Sequence, residues 1–315
     1  MISPSAPIWD IYSTLVNRGD FALSEPLIED LVQQSSTLLS RDEPLKGKSL
    51  ESATVSITSL CAVAAGLVRR ATGSQANSIL EVLRDVPKVD RDGPYLSRRL
   101  EMVVQPRKSL KKEEYAILKP LWLQRVYVKL VQPMIQIAVA PTKPEHDNLI
   151  KFNYSLAVIG MAKHMEYVVF EQDVEQVLRV SIIVLQILQS GPDVEAALKI
   201  MSVIISEAPE RAQSYLISII KICINIFANR RTQQADPEWL PAEYVKPTER
   251  GDLIDARCAE HALGIIGRLP LLFEHRHLSP CASILERELS LALGHGVRQV
   301  RETARIARKA WRDMN

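Results

Sequence analysis

Apolar residues recur every three or four positions along almost the whole chain, the spacing that places them on one face of an α-helix. The last segment is the clearest case, because Val297, Val300, Ala304, Ala307 and Trp311 form one such stripe. No stretch of useful length alternates apolar and polar residues as a half-buried β-strand does. The pattern therefore predicts an all-α protein. The predicted helices cover residues 5–17, 25–40, 49–71, 74–85, 94–104, 112–139, 145–165, 171–189, 192–207, 210–228, 251–268, 278–293 and 296–313.

Tight turns between these helices predict that they form pairs. The segment SGPD ends one helix at Gly191 and starts the next at Pro192, and Gly294 to Gly296 separate the last two helices. Glycine after a helix and proline in its first turn are typical of such junctions. Small residues recur in the second helix of each pair: Ala196, Ala197, Ala256, Ala259, Ala262, Ala304, Ala307 and Ala310. Repeated pairs of ~40 residues, none able to bury its apolar face alone, indicate a HEAT-like α-solenoid of stacked antiparallel helix pairs.

The same pattern predicts how the chain is organised. We expect N-terminal helical repeats over residues 1–90 and C-terminal HEAT repeats over 91–315, within one continuous solenoid. We predict that residues 229–250 form an insertion loop, of a length that such arrays rarely need. Loops of this length are usually functional or disordered. Trp239 and Tyr244 lie in it, so the loop either packs on its own solenoid or offers an aromatic anchor to a partner.

Composition narrows the class of protein. A chain that is 47% hydrophobic and 24% charged has a substantial core, and only 12 glycines in 315 residues disfavour sheet-rich and glycine-loop folds. The net charge of +2 is too small to argue for nucleic acid or a membrane. The most apolar stretches, RVSIIVLQIL and YLISIIKICINIF, are interrupted by polar residues well before the ~20 apolar residues of a membrane span. They predict buried helices.

The chain carries no recognisable catalytic or cofactor motif, and we expect neither an enzyme nor a bound cofactor. The four cysteines are far apart and form no C-x-x-C, which predicts reduced core thiols of an intracellular protein. His275 and His277, with Cys258 or Cys281 nearby in the repeat, could hold a metal. Alternating histidines in a turn are more often a solvated surface, so we expect no metal site.

The segment 107–112 is rich in lysine and arginine, with four basic residues among six. Such a run could contact nucleic acid phosphates, but it lacks interleaved aromatic residues for base stacking. A charge run of this length is usually a solvated helix start. We therefore expect no direct binding of nucleic acid.

A second stripe runs along the last predicted helix, about 100° from the apolar one. It consists of Arg298, Arg301, Arg305, Arg308 and Arg312. These arginines either solvate the end of the array and pair with acids of the preceding helix, such as Glu286 and Glu288, or they dock a partner. From Gly296 to Arg312 the chain has six basic residues and one acidic residue, whereas a merely solvating face more often mixes both signs. Arginine forks bind carboxylates in pairs of hydrogen bonds and are enriched in protein interfaces.

Four segments resemble the C-terminal region of the fungal Mms-nineteen family. They are GPYLSRRLEMVVQPRK, LKPLWLQRVYVKLVQPM, NYSLAVIGMAKHM and VRQVRETARIARKAW, spread over roughly residues 90–315. Members of this family are HEAT-repeat proteins of the cytosolic iron–sulfur assembly targeting complex, first linked to DNA repair and transcription. The resemblance implies a cytoplasmic and nuclear protein that is part of a longer chain.

The resemblance also implies partners. The family's C-terminal repeats dock a β-propeller protein and a small assembly factor, and the full-length protein reaches iron–sulfur client enzymes of DNA metabolism. The expected function is therefore that of a protein–protein adaptor, with Arg298, Arg301, Arg305, Arg308, Arg312, Trp239 and Tyr244 as candidate contact residues. The alternative function is a HEAT-type solenoid engaged in transport or associated with nucleic acid.

Overall fold

The structure, a computed structural model, describes residues 7–40, 45, 47–70, 74–90, 94–141, 147–188, 190–228 and 251–314. Over these ranges the chain is mainly helical and contains no β-strand, which confirms the prediction of an all-α protein. It divides into two compact units, Met1–Glu171 and Gln172–Asn315. The predicted division between residues 90 and 91 lies inside the first unit and stays a prediction about the repeat pattern.

The first unit contains long helices joined by short helical turns. Its α-helices are α1 Pro7–Arg18, α2 Phe21–Leu39, α3 Lys48–Arg70, α4 Ser74–Val89, α5 Glu101–Val104, α6 Trp122–Val126, α7 Gln132–Val139, α8 Asp147–Ala162 and α9 Tyr167–Phe170. Single turns of 3-10 helix occur at Ser97–Leu100, Lys108–Leu110 and Lys112–Glu114, and a π-helical turn joins α6 to α7 at Tyr127–Val131.

Helix α3 is the centre of the first unit, because it packs against α1, α2, α4, α5 and α6. Of the described helices it is the one long and apolar enough to cross a membrane, but 78% of its most apolar stretch is buried inside the unit. That burial is what a core helix shows. Its residues from Leu60 to Val68 are almost completely shielded from solvent.

Helices α1 and α3 cross at very short range, and polar groups bridge the crossing. A Cβ atom on Gly66 would overlap the backbone carbonyl oxygen of Ser13, so this position requires glycine. The Ser13 hydroxyl donates to the carbonyl of Ala62 at 2.8 Å. The Asn17 amide donates to the carbonyls of Gly66 at 3.1 Å and Ile117 at 2.9 Å. These buried polar side chains are therefore satisfied, as burial requires.

The predicted continuous helix 112–139 is wrong in its first part. After the turn Lys112–Glu114 the chain leaves the helical conformation, and Tyr115 and Leu121 adopt positive φ angles of 60° and 57°. Pro120 disfavours a helical conformation at Lys119, whose N–H instead donates to the carbonyl of Arg69 at 2.7 Å. Helix structure resumes only at α6.

The second unit consists mainly of longer helices. Its α-helices are α10 Val174–Ile187, α11 Pro192–Glu207, α12 Pro209–Ala212, α13 Leu216–Phe227, α14 Gly251–Leu272, α15 His275–Ala292 and α16 Arg298–Met314. The stretches RVSIIVLQIL and YLISIIKICINIF fall in or around α10 and α13, whose apolar side chains are buried as predicted.

Packing in the second unit follows two sets of contacts. Consecutive helices pack as the pairs α10 with α11, α13 with α14 and α15 with α16. Across the pairs, α11 packs on α14 and α14 on α16, while α10 packs on α13 and α13 on α15. Helices α11, α14 and α16 therefore contact one another in succession, and so do α10, α13 and α15.

The predicted turns are present in this unit. Gly191 has a φ of 109° and precedes Pro192, the first residue of α11. Residues 293–297 form the turn between α15 and α16. Three of the four cysteines are buried thiols, as predicted: Cys61, Cys223 and Cys258, whereas Cys281 is partly exposed.

Candidate functional site

Helix α16 presents one buried apolar face, as its sequence pattern predicts. Val300, Ala304, Ala307 and Trp311 are 4% exposed or less. They pack against α14, and α15 covers a further part of the helix. A Cβ atom on Gly267 of α14 would lie 3.2 Å from the Cα of Ala307, so the two backbones approach closely at this point. The apolar face of α16 is thus buried in the unit, and the side chains on its other faces are partly or fully exposed.

Two members of the arginine stripe make contacts within α16 and the turn before it. Arg298 pairs with Glu302 one helical turn on, with Nε to Oε1 at 2.8 Å. Arg301 donates from Nη1 to the carbonyls of His295 at 2.7 Å and Gly296 at 2.9 Å. Arg301 therefore holds the turn that leads into α16, a structural role that the sequence pattern alone does not reveal.

The C-terminal end of the stripe approaches α15. Arg312 lies 3.6 Å from Glu286, and this pair agrees with the expectation that the stripe contacts acids of the preceding helix. Both side chains are more than half exposed, so the pair adds little stability. Glu288, the other acid named from sequence, is buried, and its Oε1 accepts from Arg287 at 2.9 Å. Arg308 is half-buried.

The exposed part of α16 combines positive charge with one apolar side chain. Arg305 and Lys309 face solvent, and neither has an ion-pair partner among the described residues. Between them along the chain, Ile306 is 69% exposed. Sequence analysis did not single out Ile306 or Lys309. The signal was present, because Ile306 falls outside the three-and-four spacing that defines the buried stripe.

The remaining predicted contact residues are Trp239 and Tyr244. Both lie outside the described residues, together with the rest of the insertion 229–250. Their role stays a prediction.

A cysteine, a histidine and a carboxylate come together between α11 and α14, an arrangement that invites comparison with a catalytic triad. Glu195 accepts from Lys199 at 2.7 Å and lies 3.8 Å from His261. Cys258 donates to the carbonyl of Gly191 at 3.6 Å, and burial raises the pKa of its thiol to about 11. A buried, protonated thiol is a poor nucleophile. The cluster is best described as a polar seam between two helices.

His277 and its neighbour Arg276 make contacts at the surface. Arg276 pairs with Glu274 at 2.7 Å, and Gln213 Nε2 lies 3.0 Å from Nε2 of His277. Among the described residues, no group of three or more histidine, cysteine or acidic side chains is placed to hold a metal ion.

The basic segment 107–112 is not a uniform charged surface. Arg107 is buried, and its Nη1 donates to Asp10 at 2.9 Å. Lys108, Lys111 and Lys112 remain exposed. Only three of the four basic residues are therefore available to a ligand.

Comparison with known proteins gives no assignment, since no family model matches the sequence and no curated protein matches it either.

Proposed function

We propose that this chain is a non-enzymatic adaptor whose last helix, α16, docks an acidic protein partner. The observation that carries the proposal is the exposed surface formed by Arg305, Ile306 and Lys309, which we call the α16 docking surface. Two cations without an ion-pair partner among the described residues flank an apolar side chain that is 69% exposed. Interfaces combine such features, because a central apolar anchor supplies affinity and surrounding charges supply orientation.

The mechanism of the adaptor is rigid presentation. The buried face of α16 and the hydrogen bonds from Arg301 to the preceding turn hold the helix in place before any partner arrives. Binding to the docking surface still costs the partner its translational and rotational entropy. It does not also require α16 to become ordered, and this lowers the entropic cost of binding. A carboxylate that pairs with Arg305 can form two parallel hydrogen bonds to the guanidinium.

The contacts of the second unit support a HEAT-like solenoid. Helices α11, α14 and α16 contact one another in succession, and α10, α13 and α15 do the same. Stacked helix pairs of a solenoid make these two sets of contacts. We propose that α16 belongs to this stack, packed on α14 and α15, and that its exposed side chains are available to a partner.

The resemblance of the sequence to the Mms-nineteen family suggests which partners such a surface binds. We propose that the chain acts in cytosolic iron–sulfur protein assembly and docks a β-propeller subunit and a small assembly factor. In a longer protein these repeats would link the assembly subunits to client enzymes of DNA metabolism, in the cytoplasm and the nucleus. The arginine stripe then faces an acidic surface of the assembly factor.

Comparative affinity capture from cell extract tests this function. The baits are the native chain, the double variant Arg305→Glu with Lys309→Glu, and the control Lys111→Glu with Lys112→Glu, which makes the same change of charge on exposed lysines of the first unit. We expect mass spectrometry to identify assembly subunits with the native chain and the control, and to lose them with the α16 variant. Recovery of the same proteins by all three baits would contradict the proposal.

The alternative function, a transport or nucleic-acid-associated solenoid, predicts a different result. Binding to nucleic acid weakens steeply with salt and shows little preference for one protein partner. In that case the Lys111→Glu, Lys112→Glu chain would lose its ligands, because these lysines are the exposed part of the basic segment.

A further inference from the structure

The loop that precedes α6 in the first unit, residues 115–121, presents large apolar side chains to solvent. We call it the apolar loop. Tyr115 is 86% exposed and Leu121 is 67% exposed, so these two side chains project from the surface. Ile117 and Leu118 are each 38% exposed. Several exposed apolar residues in one short segment mark a surface that binds a partner or a membrane.

Helices α1 and α3 hold the backbone of the apolar loop by hydrogen bonds. The Asn17 side chain pairs with both backbone groups of Ile117, because its Nδ2 donates to the carbonyl at 2.9 Å and its Oδ1 accepts from the N–H at 2.8 Å. The Lys119 N–H donates to the carbonyl of Arg69 at 2.7 Å. These bonds restrain the loop, so less conformational entropy is lost when its side chains bind.

The two projecting residues have a strained backbone conformation. Tyr115 and Leu121 have φ angles of 60° and 57°, in the left-handed region that glycine adopts without cost and that bulky residues rarely adopt. Strained residues of this kind cluster at functional sites, where the surrounding structure holds them in place. The strain therefore coincides with the most exposed side chains of the loop and supports a binding role for them.

Exposed lysines lie beside the apolar loop. The Lys112 carbonyl accepts from the Tyr115 N–H at 3.0 Å, and the carbonyl of its neighbour Lys111 accepts from the next N–H of the loop at 3.2 Å. These bonds place both lysines beside the start of the loop, and Lys119 lies within it. Over residues 108–121 the chain has four lysines and two glutamates, so the surroundings of the loop carry an excess of positive charge.

We propose that the apolar loop attaches this chain to a membrane surface that contains anionic lipids. The projecting side chains enter the boundary between head groups and acyl chains, while the lysines stay near the lipid phosphates. Tyrosine suits this depth, because its ring is apolar and its hydroxyl is polar. A fluid lipid interface accepts projecting side chains without a complementary pocket, and this favours lipid over a protein partner. The α16 docking surface offers one exposed apolar side chain, whereas the loop offers four.

Flotation of the whole chain with lipid vesicles tests the proposal. One set of vesicles contains phosphatidylcholine alone, and the other contains about 30% phosphatidylserine as well. We expect saturable binding to the anionic vesicles, at least about tenfold stronger than to the neutral ones, and weaker binding as salt is added. Absence of binding to the anionic vesicles would overturn the proposal, even if the loop captured an acidic protein or a nucleic acid instead.

One pair of variants tests the apolar contribution. Tyr115→Asn with Leu121→Asn removes the projecting side chains and is compatible with the backbone, since asparagine adopts positive φ angles more readily than other residues with a side chain. This variant should bind anionic vesicles at least about tenfold more weakly. Val168→Asn with Leu271→Asn, which removes two exposed apolar residues outside the loop, should bind as the native chain does. Undiminished binding by the folded loop variant would overturn the proposal.

A second pair of variants tests the charges, and also serves if the asparagine variant does not fold. Lys111→Glu with Lys112→Glu should weaken binding to anionic vesicles at least about tenfold. Arg305→Glu with Lys309→Glu makes the same change of charge on α16 and should leave this binding unchanged. Loss of binding in the α16 variant alone would place the membrane contact on α16 and would overturn the assignment to the loop.

Discussion

The indole Nε1 of Trp311 donates a buried 2.8 Å hydrogen bond to the backbone carbonyl of Ile266. In an uninterrupted helix that carbonyl would accept from the N–H of the residue four positions on. Here that residue is Pro270, which lies inside α14 and has no N–H. The last helix of the chain thus supplies the donor that a proline removes from its neighbour, and the two helices are joined by a specific polar contact as well as by apolar packing.

This contact predicts a measurable coupling between Trp311 and Pro270. Trp311→Phe keeps most of the ring but leaves the Ile266 carbonyl without a donor, and should lower the free energy of unfolding by about 1–3 kcal/mol. In a Pro270→Ala background, the N–H of Ala at position 270 can donate to the Ile266 carbonyl. Trp311→Phe should therefore lower the free energy of unfolding by a smaller amount in this background. Urea unfolding followed by circular dichroism measures all four proteins of this cycle. Equal costs in both backgrounds would show that the indole bond does not replace the missing backbone donor.

The close approach of α14 and α16 predicts opposite effects for two glycines of one helix. A methyl group at Gly267 meets the backbone of Ala307 at 3.2 Å, so Gly267→Ala should destabilise the protein by about 1–3 kcal/mol. A methyl group at Gly264 would have no atom within 4 Å, so Gly264→Ala should stabilise the protein by about 0.5–1 kcal/mol through the higher helix propensity of alanine. Thermal unfolding of the two variants distinguishes these signs. A stabilising Gly267→Ala would mean that α16 packs further from α14 than described.

A buried aspartate predicts how stability varies with pH. Burial raises the pKa of Asp90 to about 7 despite hydrogen bonds from Ser97 and Leu96. The ordinary value is 3.8, so between these two pH values the folded protein binds more protons than the unfolded chain. Its stability should therefore fall as pH rises from about 4 to about 7, by a few kcal/mol at most.

Asp90→Asn removes this titration and keeps an oxygen that can accept from the Ser97 N–H. Its stability should vary less over the same pH range, while Glu81→Gln, which changes an exposed acid on α4, should retain the native fall. Denaturant titrations at several pH values compare the three proteins. An unchanged slope in Asp90→Asn would assign the effect to another group.

The cysteines predict a simple labelling pattern. Burial raises the pKa of the Cys61 and Cys223 thiols to about 12, and these side chains are not exposed at all. Cys258 is also buried, and Cys281 is partly exposed. A maleimide should therefore modify Cys281 first in the native protein and all four cysteines after unfolding, as intact mass spectrometry can count. Rapid native labelling of Cys61 would contradict the described core of the first unit.

Sequence periodicity predicted those features that depend on local chemistry. Residue spacing predicts the buried stripe of α16, and turn preferences predict the junction at Gly191 and Pro192. Both signals lie within one short segment of the sequence. The prediction of a continuous helix 112–139 overlooked Pro120, a local signal for a helix break. The path of the loop itself could not be predicted from local chemistry, because Asn17 and Arg69, residues far away in the sequence, hold it. The ion pair of Lys163 with Glu101 could not be predicted either, because only the fold brings these two residues together.

The arginine stripe shows the limit of helical spacing as a guide to function. Spacing places five arginines on one face of the helix. It does not show that Arg301 donates hydrogen bonds to the preceding turn while other arginines of the stripe face solvent. The structure separates them by contacts, and it adds Ile306 and Lys309 to the surface that a partner would meet.

Calorimetric titration of the purified chain with the small assembly factor tests the central proposal most directly. The native chain should bind saturably, and Arg305→Glu with Lys309→Glu should weaken binding at least about thirtyfold, which corresponds to about 2 kcal/mol. Lys111→Glu with Lys112→Glu should bind as the native chain does, and both variants should keep the native circular dichroism spectrum. Full affinity of the folded α16 variant, or no binding by the native chain, would contradict the proposal that α16 docks this partner.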